Sequence, residues 1–466
     1  MTESRGMRPT RSARAVVARY GRFPVIVVLA AAIVIAGGAA AFIATRGPER
    51  SATASQPPQS SAASSPSPSS APSSGLPPCP SATATGCDKS RFQNGARGSS
   101  ACRGKGPGTI TASPIALDDV AFIQPMGLMI GGHVTPIDHG YFYILGATAN
   151  PPRQAPVYAP MDGNISSVTR TVRNGDPSAK SDQTAVATYD DYAVTIEATC
   201  TFRVRFSNMV RLAGTLGDDV GQLGGNETKT PDYSVKAGEL IGYTGLPTAY
   251  GIDVWVENDE TTLTGFVKPA QYTAAEAWKT HMVDLFDYTE EPLKSRLLAL
   301  DERDTAPRWG KIDDDVDGKL VGNWFRVGSG GYAGLQHSGE GYWDGHLAVV
   351  YDGNDRAQIV VSFGNYQGKA QQFAVVGNSP DPAGVDQSTG VIKYELGQIE
   401  HYSADTGRVW DNRTYLSHIR TRAGRDVMGT VLFQLVDGRS LRMEIFPGKR
   451  AAEVDGFDSG ALMYER

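Results

Sequence analysis

Between Phe23 and Ala44 the chain reads FPVIVVLAAAIVIAGGAAAFIA, an apolar run without a charge, and Arg5, Arg8, Arg11, Arg14, Arg19 and Arg22 stand before it. A helix rising ~1.5 Å per residue would carry this run across a hydrocarbon core of roughly 30 Å. Arginines on the leading side hold that end in the cytoplasm and send the rest of the chain across the membrane. The expectation is a single-pass signal anchor at 23–44 behind a basic cytoplasmic tail, 1–22, in the cell membrane, with extracytoplasmic folded domains. A cleaved signal peptide is the competing reading, with Ala39-Ala40-Ala41 as its cleavage site.

Residues 45–78 are almost entirely Ser, Ala, Pro, Thr, Gln and Gly. Such a composition cannot bury enough apolar surface to offset its ordering entropy, so 45–105 is expected to be a spacer. Cysteines stand at 79, 87, 102 and 200. An even count in an exported chain suits disulfides that tie the start of the folded region to the strand around Cys200. A net charge of −6, with 20% charged residues, argues against nucleic acid as the partner.

Beyond Ile110 short strands dominate, and the 53 glycines and 28 prolines supply their turns. Val194-x-Ile196 and Ile252-x-Val254-x-Val256 alternate with the period of a strand. Thr273-Ala-Ala-Glu276 has a capping-box pattern and predicts a helix through Phe286. Thr289, Pro292 and the leucines at 293, 297, 298 and 300 predict a second one. After Arg308 about eight more strands follow, and TVLFQL and SLRMEI flank a hairpin turn at Val436–Arg439. The chain is therefore expected to be mainly β. A first β domain spans 106–268, a helical connection 269–307, and an antiparallel β-barrel or sandwich 308–466.

APVYAPMDGNISSV (155–168) and VKAGELIGYTG (235–245) each read as strands around tight glycine turns. In order and spacing, residues 125–258 resemble the lysostaphin-type (LytM-like) zinc endopeptidases that cut peptidoglycan cross-links. The resemblance covers about a third of the chain and implies a barrel-sandwich domain similar to a duplicated hybrid motif. In that family a His-x-x-x-Asp element comes first and a His-x-His strand comes last. Here the first stretch reads GGHVTPIDHGYFYI (131–144). Either His133 pairs with Asp138 across five positions, or His139 takes the histidine place and Tyr143 that of the aspartate. At the last strand Gly251 and Asp253 stand for the two histidines, and Asn208 falls where the family carries its catalytic histidine. The resemblance thus implies a zinc set of His133, Asp138, His139 and Asp253, because zinc takes three or four converging N, O or S ligands. The residues read by themselves allow a plainer alternative, in which His139 bonds Asp138 and Asp138 closes a turn.

Two further patterns stand outside that region. Asp313-x-Asp315-x-Asp317-Gly318 has the opening spacing of a calcium loop, with Trp324 where the closing glutamate belongs. Gly322-x-Trp324 resembles the opening strand of lipocalins and agrees with a barrel whose floor the tryptophan plugs.

The resulting expectation is a membrane-anchored envelope protein whose peptidase-like domain is non-catalytic and acts in cell-wall binding or in regulating wall hydrolysis. Its partner would be peptidoglycan or another envelope protein. One alternative is an active zinc metallopeptidase with divergent ligands. Another is a carrier of a small apolar ligand in the C-terminal barrel.

Overall fold

Alternating apolar residues between Gly163 and Asn258 build one wall of the first core. The computed structural model describes residues 102–466 apart from 148, 150–152, 175–187, 232, 247–248, 335–340 and 412–413. The expected anchor at 23–44, Cys79 and Cys87 lie outside the described residues. Among the described residues no helix is long and apolar enough to cross a membrane.

The strands of the first sheet are β1 (Val120–Gln124), β2 (Gly140–Ile144), β3 (Ala155–Tyr158), β4 (Gly163–Asn174), β5 (Thr188–Glu197), β6 (Phe202–Leu212), β7 (Glu227–Lys229), β8 (Tyr233–Val235), β9 (Leu240–Thr244) and β10 (Gly251–Asn258). They form one ten-stranded sheet whose main path runs β1-β2-β10-β6-β5-β4-β7, with every pairing antiparallel. Val194, Ile196, Phe202, Val204, Phe206, Ile252, Val254 and Val256 all belong to one core. The alternate positions carry Arg203, Arg205, Ser207, Asp253, Trp255 and Glu257, yet all eight residues of β10 are buried. The chain beyond β10 covers this second face. Arg203 is enclosed there and is matched by Glu257 at 3.0 Å and Asp259 at 2.6 Å, the pairing that an enclosed guanidinium requires.

Three short helices belong to this part: α1 (Gly214–Val220), α2 (Ala270–Glu276) and α3 (Leu293–Leu298). The helix expected over 273–286 begins three residues earlier and ends at Glu276. Thr273 is inside it, with Oγ1 donating to the Ala270 carbonyl. A 3-10 turn follows at Ala277–His281. Helical spacing then gives way because Met282 bridges to Glu257 and the Val283 amide donates to the Val256 carbonyl of β10. The second expected helix is α3, with Pro292 at its start and Leu297 fully buried.

The strands β11 (Gly322–Arg326), β12 (His346–Tyr351), β13 (Ile359–Tyr366), β14 (Lys369–Val375), β15 (Ile392–Ser403), β16 (Ile419–Asp437), β17 (Ser440–Pro447) and β18 (Leu462–Glu465) close in sequential order into an eight-stranded antiparallel barrel. The expected hairpin is β16–β17, with Asp437 opposite Ser440. Trp324, Leu347, Val349, Val361, Phe363, Phe373, Tyr394 and Phe433 fill the lumen. Trp324 is fully buried under the Arg466 guanidinium, 4.0 Å from its ring, and its Nε1 donates to the Leu320 carbonyl.

The barrel grips the loop that carries His133. Gln372 makes two 3.0 Å hydrogen bonds to the Gly131 backbone. Met129 packs on Ala348, Val350 and Val360 on the outside of the barrel. Gln124 and Asn354 exchange amide hydrogen bonds of 2.7 and 3.1 Å. Gly353 permits this approach, because a Cβ there would lie 2.9 Å from the Gly127 backbone. The disulfide Cys102–Cys200 staples the start of the described chain to the turn before β6.

Candidate functional site

The residues of the GGHVTPIDHGYFYI stretch and of β10 do meet. Asp253 sits mid-strand, with Tyr141 of β2 opposite on one side and Ser207 of β6 on the other. His139 immediately precedes β2, and its Nε2 lies 3.9 Å from Asp253 Oδ2. Its ring packs on Trp255 at 4.1 Å and meets the His133 ring edge-on at 5.8 Å. His139 Nδ1 is 2.9 Å from Asp138 Oδ1, the neighbour contact that the plainer reading expects. Asp138, His139 and Asp253 are each no more than 5% exposed.

The carboxylates of this group are already engaged. Asp138 Oδ2 accepts from Trp278 Nε1 at 2.8 Å and lies 3.1 Å from Lys279 Nζ. Lys279 also pairs with Glu276 at 3.1 Å and lies over the Tyr332 ring. Asp253 accepts from Ser207 Oγ and from Asn208 Nδ2, both at 2.7 Å. Burial pushes the Asp138 carboxyl up, but the Lys279 ammonium and His139 more than offset this, so it stays well below the usual carboxylate range. Those carboxylates in turn raise Lys279 against the effect of its own burial. Asp253 has no such cation in contact, and burial lifts its carboxyl above the ordinary value. The result is an enclosed ion cluster in which a protein ammonium supplies the positive charge.

A zinc ion needs free lone pairs. At this place it would have to displace Lys279 and Trp278 from Asp138, and Ser207 and Asn208 from Asp253, and it would meet the ammonium as a like charge. Among the described residues no group of three or more His, Cys, Asp or Glu is arranged to hold a metal ion.

Asn208 and Gly251, which the resemblance sets at histidine positions, are each fixed by their own surroundings. Asn208 adopts φ +64°, a left-handed conformation that asparagine tolerates. Its backbone amide donates to Asp191 while its side chain holds Asp253, so its work is positioning. A Cβ at Gly251 would stand 1.8 Å from the Phe142 carbonyl oxygen of β2, so this backbone leaves no room for a histidine there.

Lys279, Trp278 and Arg205 are parts of the site that sequence reasoning missed. Arg205 stacks on Trp255 at 4.0 Å and faces Trp278 at 5.3 Å, beside the ion cluster. No local spacing marks them. A Trp-Lys pair after a short helix reads as surface until the fold encloses it.

The aspartates of the expected calcium loop diverge. Asp313 takes Lys311 at 2.5 Å, Asp314 takes Arg356, Asp315 takes the Val267 and Asn323 amides, and Asp317 takes Arg439 at 3.0 Å. Each is satisfied by its own partners. They tie the inter-domain segment to both domains.

No known protein family's sequence pattern matches the chain, and no curated protein matches it. Among solved structures, the SpoIIQ–SpoIIIAH pore-forming complex is similar to it at 9% identity, over 40% of this chain and 95% of that one, with a TM-score of 0.19. The binding domain of Paraclostridial Mosquitocidal Protein 1 is similar at 8% identity, over 75% of this chain and 92% of that one, with a TM-score of 0.16.

Proposed function

We propose that the chain is a membrane-anchored envelope protein whose lysostaphin-like domain binds the cell wall without hydrolysing it. The observation that carries this reading is the Lys279 ammonium set against Asp138 in the place where a zinc peptidase would hold its metal. A hydrolase of that class needs a metal to polarise the scissile carbonyl and to activate water. The carboxylates of the ion cluster are taken up by Lys279, Trp278, Ser207 and Asn208, and the family's catalytic histidine, by the resemblance, is replaced by Asn208. Arg205 and Trp278, both half-buried beside the cluster, offer a cation and an aromatic edge against which a wall peptide or glycan can rest. The anchor at 23–44 and the spacer behind it would hold this face outward from the membrane. The alternative of an active enzyme requires zinc to displace Lys279.

The test is incubation of the detergent-solubilised full chain with isolated peptidoglycan. The proposal expects the protein to sediment with the wall and no peptide to be released, with sedimentation weakened in Arg205→Ala. Release of soluble peptides that disappears in Asp253→Ala would overturn it, and so would a chain that stays in the supernatant.

A further inference from the structure

The lumen of the barrel is closed by its own core, but its end opposite the β16–β17 turn is not. A cleft of about 330 Å³ opens there, between the ends of β11, β13 and β17 and the start of β18. Side chains on one face of a strand recur every second residue. Arg326 follows Trp324 by two on β11, and Leu462 precedes Tyr464 by two on β18. Both therefore continue inward-facing rows of the core and bring its last layer to this mouth.

Two polar groups of the cleft, the Arg326 guanidinium and the Tyr464 hydroxyl, are not used up by the fold. The Arg326 side chain makes no ion pair or hydrogen bond among the described residues, although its strand leads it into the cleft. Tyr464 is 5% exposed, and its hydroxyl makes no hydrogen bond among the described residues. The positive Arg326 and the negative Asp344 both act on that hydroxyl. Asp344 accepts from Asn365 Nδ2 at 2.6 Å, and Glu444 lines the same cleft. Neither group is spent on a protein partner, so both are open to a ligand at this concave mouth.

We propose that this mouth binds a neutral saccharide. The Arg326 guanidinium is planar and able to make two parallel hydrogen bonds, and the Asp344 and Glu444 carboxylates beside it keep lone pairs that can accept from a hydroxyl. Adjacent hydroxyls on a sugar ring present donor and acceptor at the matching spacing. The aliphatic Leu462 supplies a surface for the C–H face of the ring. Both signs of charge line the cleft, which disfavours a strongly charged ligand of either sign. The volume lies at the lower end of the roughly 300–1,000 Å³ usual for small-ligand sites. This site is on the second domain and is independent of wall binding by the first. It also differs from an apolar carrier, whose ligand would need the filled lumen.

The full chain is titrated with glucose and with N-acetylglucosamine, using inorganic phosphate and acetate as charged comparisons, and binding is read by saturation-transfer NMR. At least one sugar is expected to bind with a Kd of about 1 mM, and the two anions are expected not to bind. Arg326→Ala is expected to weaken the sugar at least about tenfold, while Arg205→Ala leaves it unchanged. Asn365→Ala, at an exposed position near the end of β13, removes the amide beside Asp344 and gives a second variant that does not depend on core packing. No sugar binding up to about 50 mM would overturn the proposal. Binding undiminished in both cleft variants would overturn it too, as would phosphate binding in place of sugar.

Discussion

Lys279 Nζ lies 3.1 Å from Asp138 Oδ2, and neither residue is more than 5% exposed. Each charge is held in place by the other and by hydrogen bonds. Removing one leaves the other enclosed with weaker compensation, Glu276 for the ammonium and the Trp278 and His139 hydrogen bonds for the carboxylate. Lys279→Met is therefore expected to lower the stability of the full chain by about 3–5 kcal/mol, read by urea denaturation. Asp138→Asn leaves the ammonium only Glu276 as counter-charge and should cost about 2–3 kcal/mol. A loss of less than about 1 kcal/mol in both variants would show that the pair behaves as a surface ion pair.

Gly251 tests how closely β2 and β10 approach. Its Cβ position is 1.8 Å from the Phe142 carbonyl oxygen. Gly251→Ala is expected to separate β2 from β10 and to destabilise the chain by at least about 3 kcal/mol, with Gly251→His no better. A Gly251→His variant with wild-type Tm would contradict this packing.

The carboxyls of Asp301 and Glu302 give stability a pH slope. Burial pushes Asp301 up to about 7 and Glu302 up to about 8, although Arg308 and the Leu416 amide respectively hold them down. Between their ordinary values near 4 and these raised ones, the folded chain binds more protons than the unfolded chain. Stability is thus expected to fall as pH rises from about 4 to about 8 and to level off above that. Glu302→Gln keeps the shape without the charge. It should be more stable than wild type at pH 8.5, by on the order of 2–3 kcal/mol, and should lose much of the slope. An unchanged slope in this variant would assign the effect to other groups.

The grip of the barrel on the His133 loop predicts joint unfolding. Met129, the Gln372–Gly131 bonds and the Gln124–Asn354 pair all cross between the sheet and the barrel. Both lie within one compact unit. Calorimetry should show a single transition for the two, and Met129→Ala should cost about 2–5 kcal/mol and shift that whole transition. Two separate transitions, with only one of them moved, would contradict the coupling.

The features legible in the sequence are local. The β16–β17 hairpin shows in the turn at Val436–Arg439 between two apolar runs, and a cysteine staple at the edge of the spacer shows in the composition shift there, whereas its pairing of Cys102 with Cys200 needs the fold. The alternation of β10 is visible too, but alternation implies one wet face, and β10 has none. The chain after it returns to cover the polar side, and Trp278, Lys279 and Met282 make that decision from outside the strand. The helix through Thr273 starts earlier and is shorter than its capping pattern implies, because such a pattern is blind to Met282 pairing with Glu257. The convergence of His139 with Asp253 is legible through the resemblance, whereas Lys279 is not. Histidine and aspartate announce chemistry by type, but a lysine becomes an internal cation only once the fold has closed over it.

If Lys279, and not a metal, neutralises the site, the purified full chain should hold no zinc there. The most direct measurement is its zinc content by mass spectrometry, after equilibration with zinc and then dialysis. Neutralisation by Lys279 predicts well under one zinc per chain, with no change in Asp138→Ala or Asp253→Ala. One zinc per chain in the wild type, lost in both variants, would contradict it.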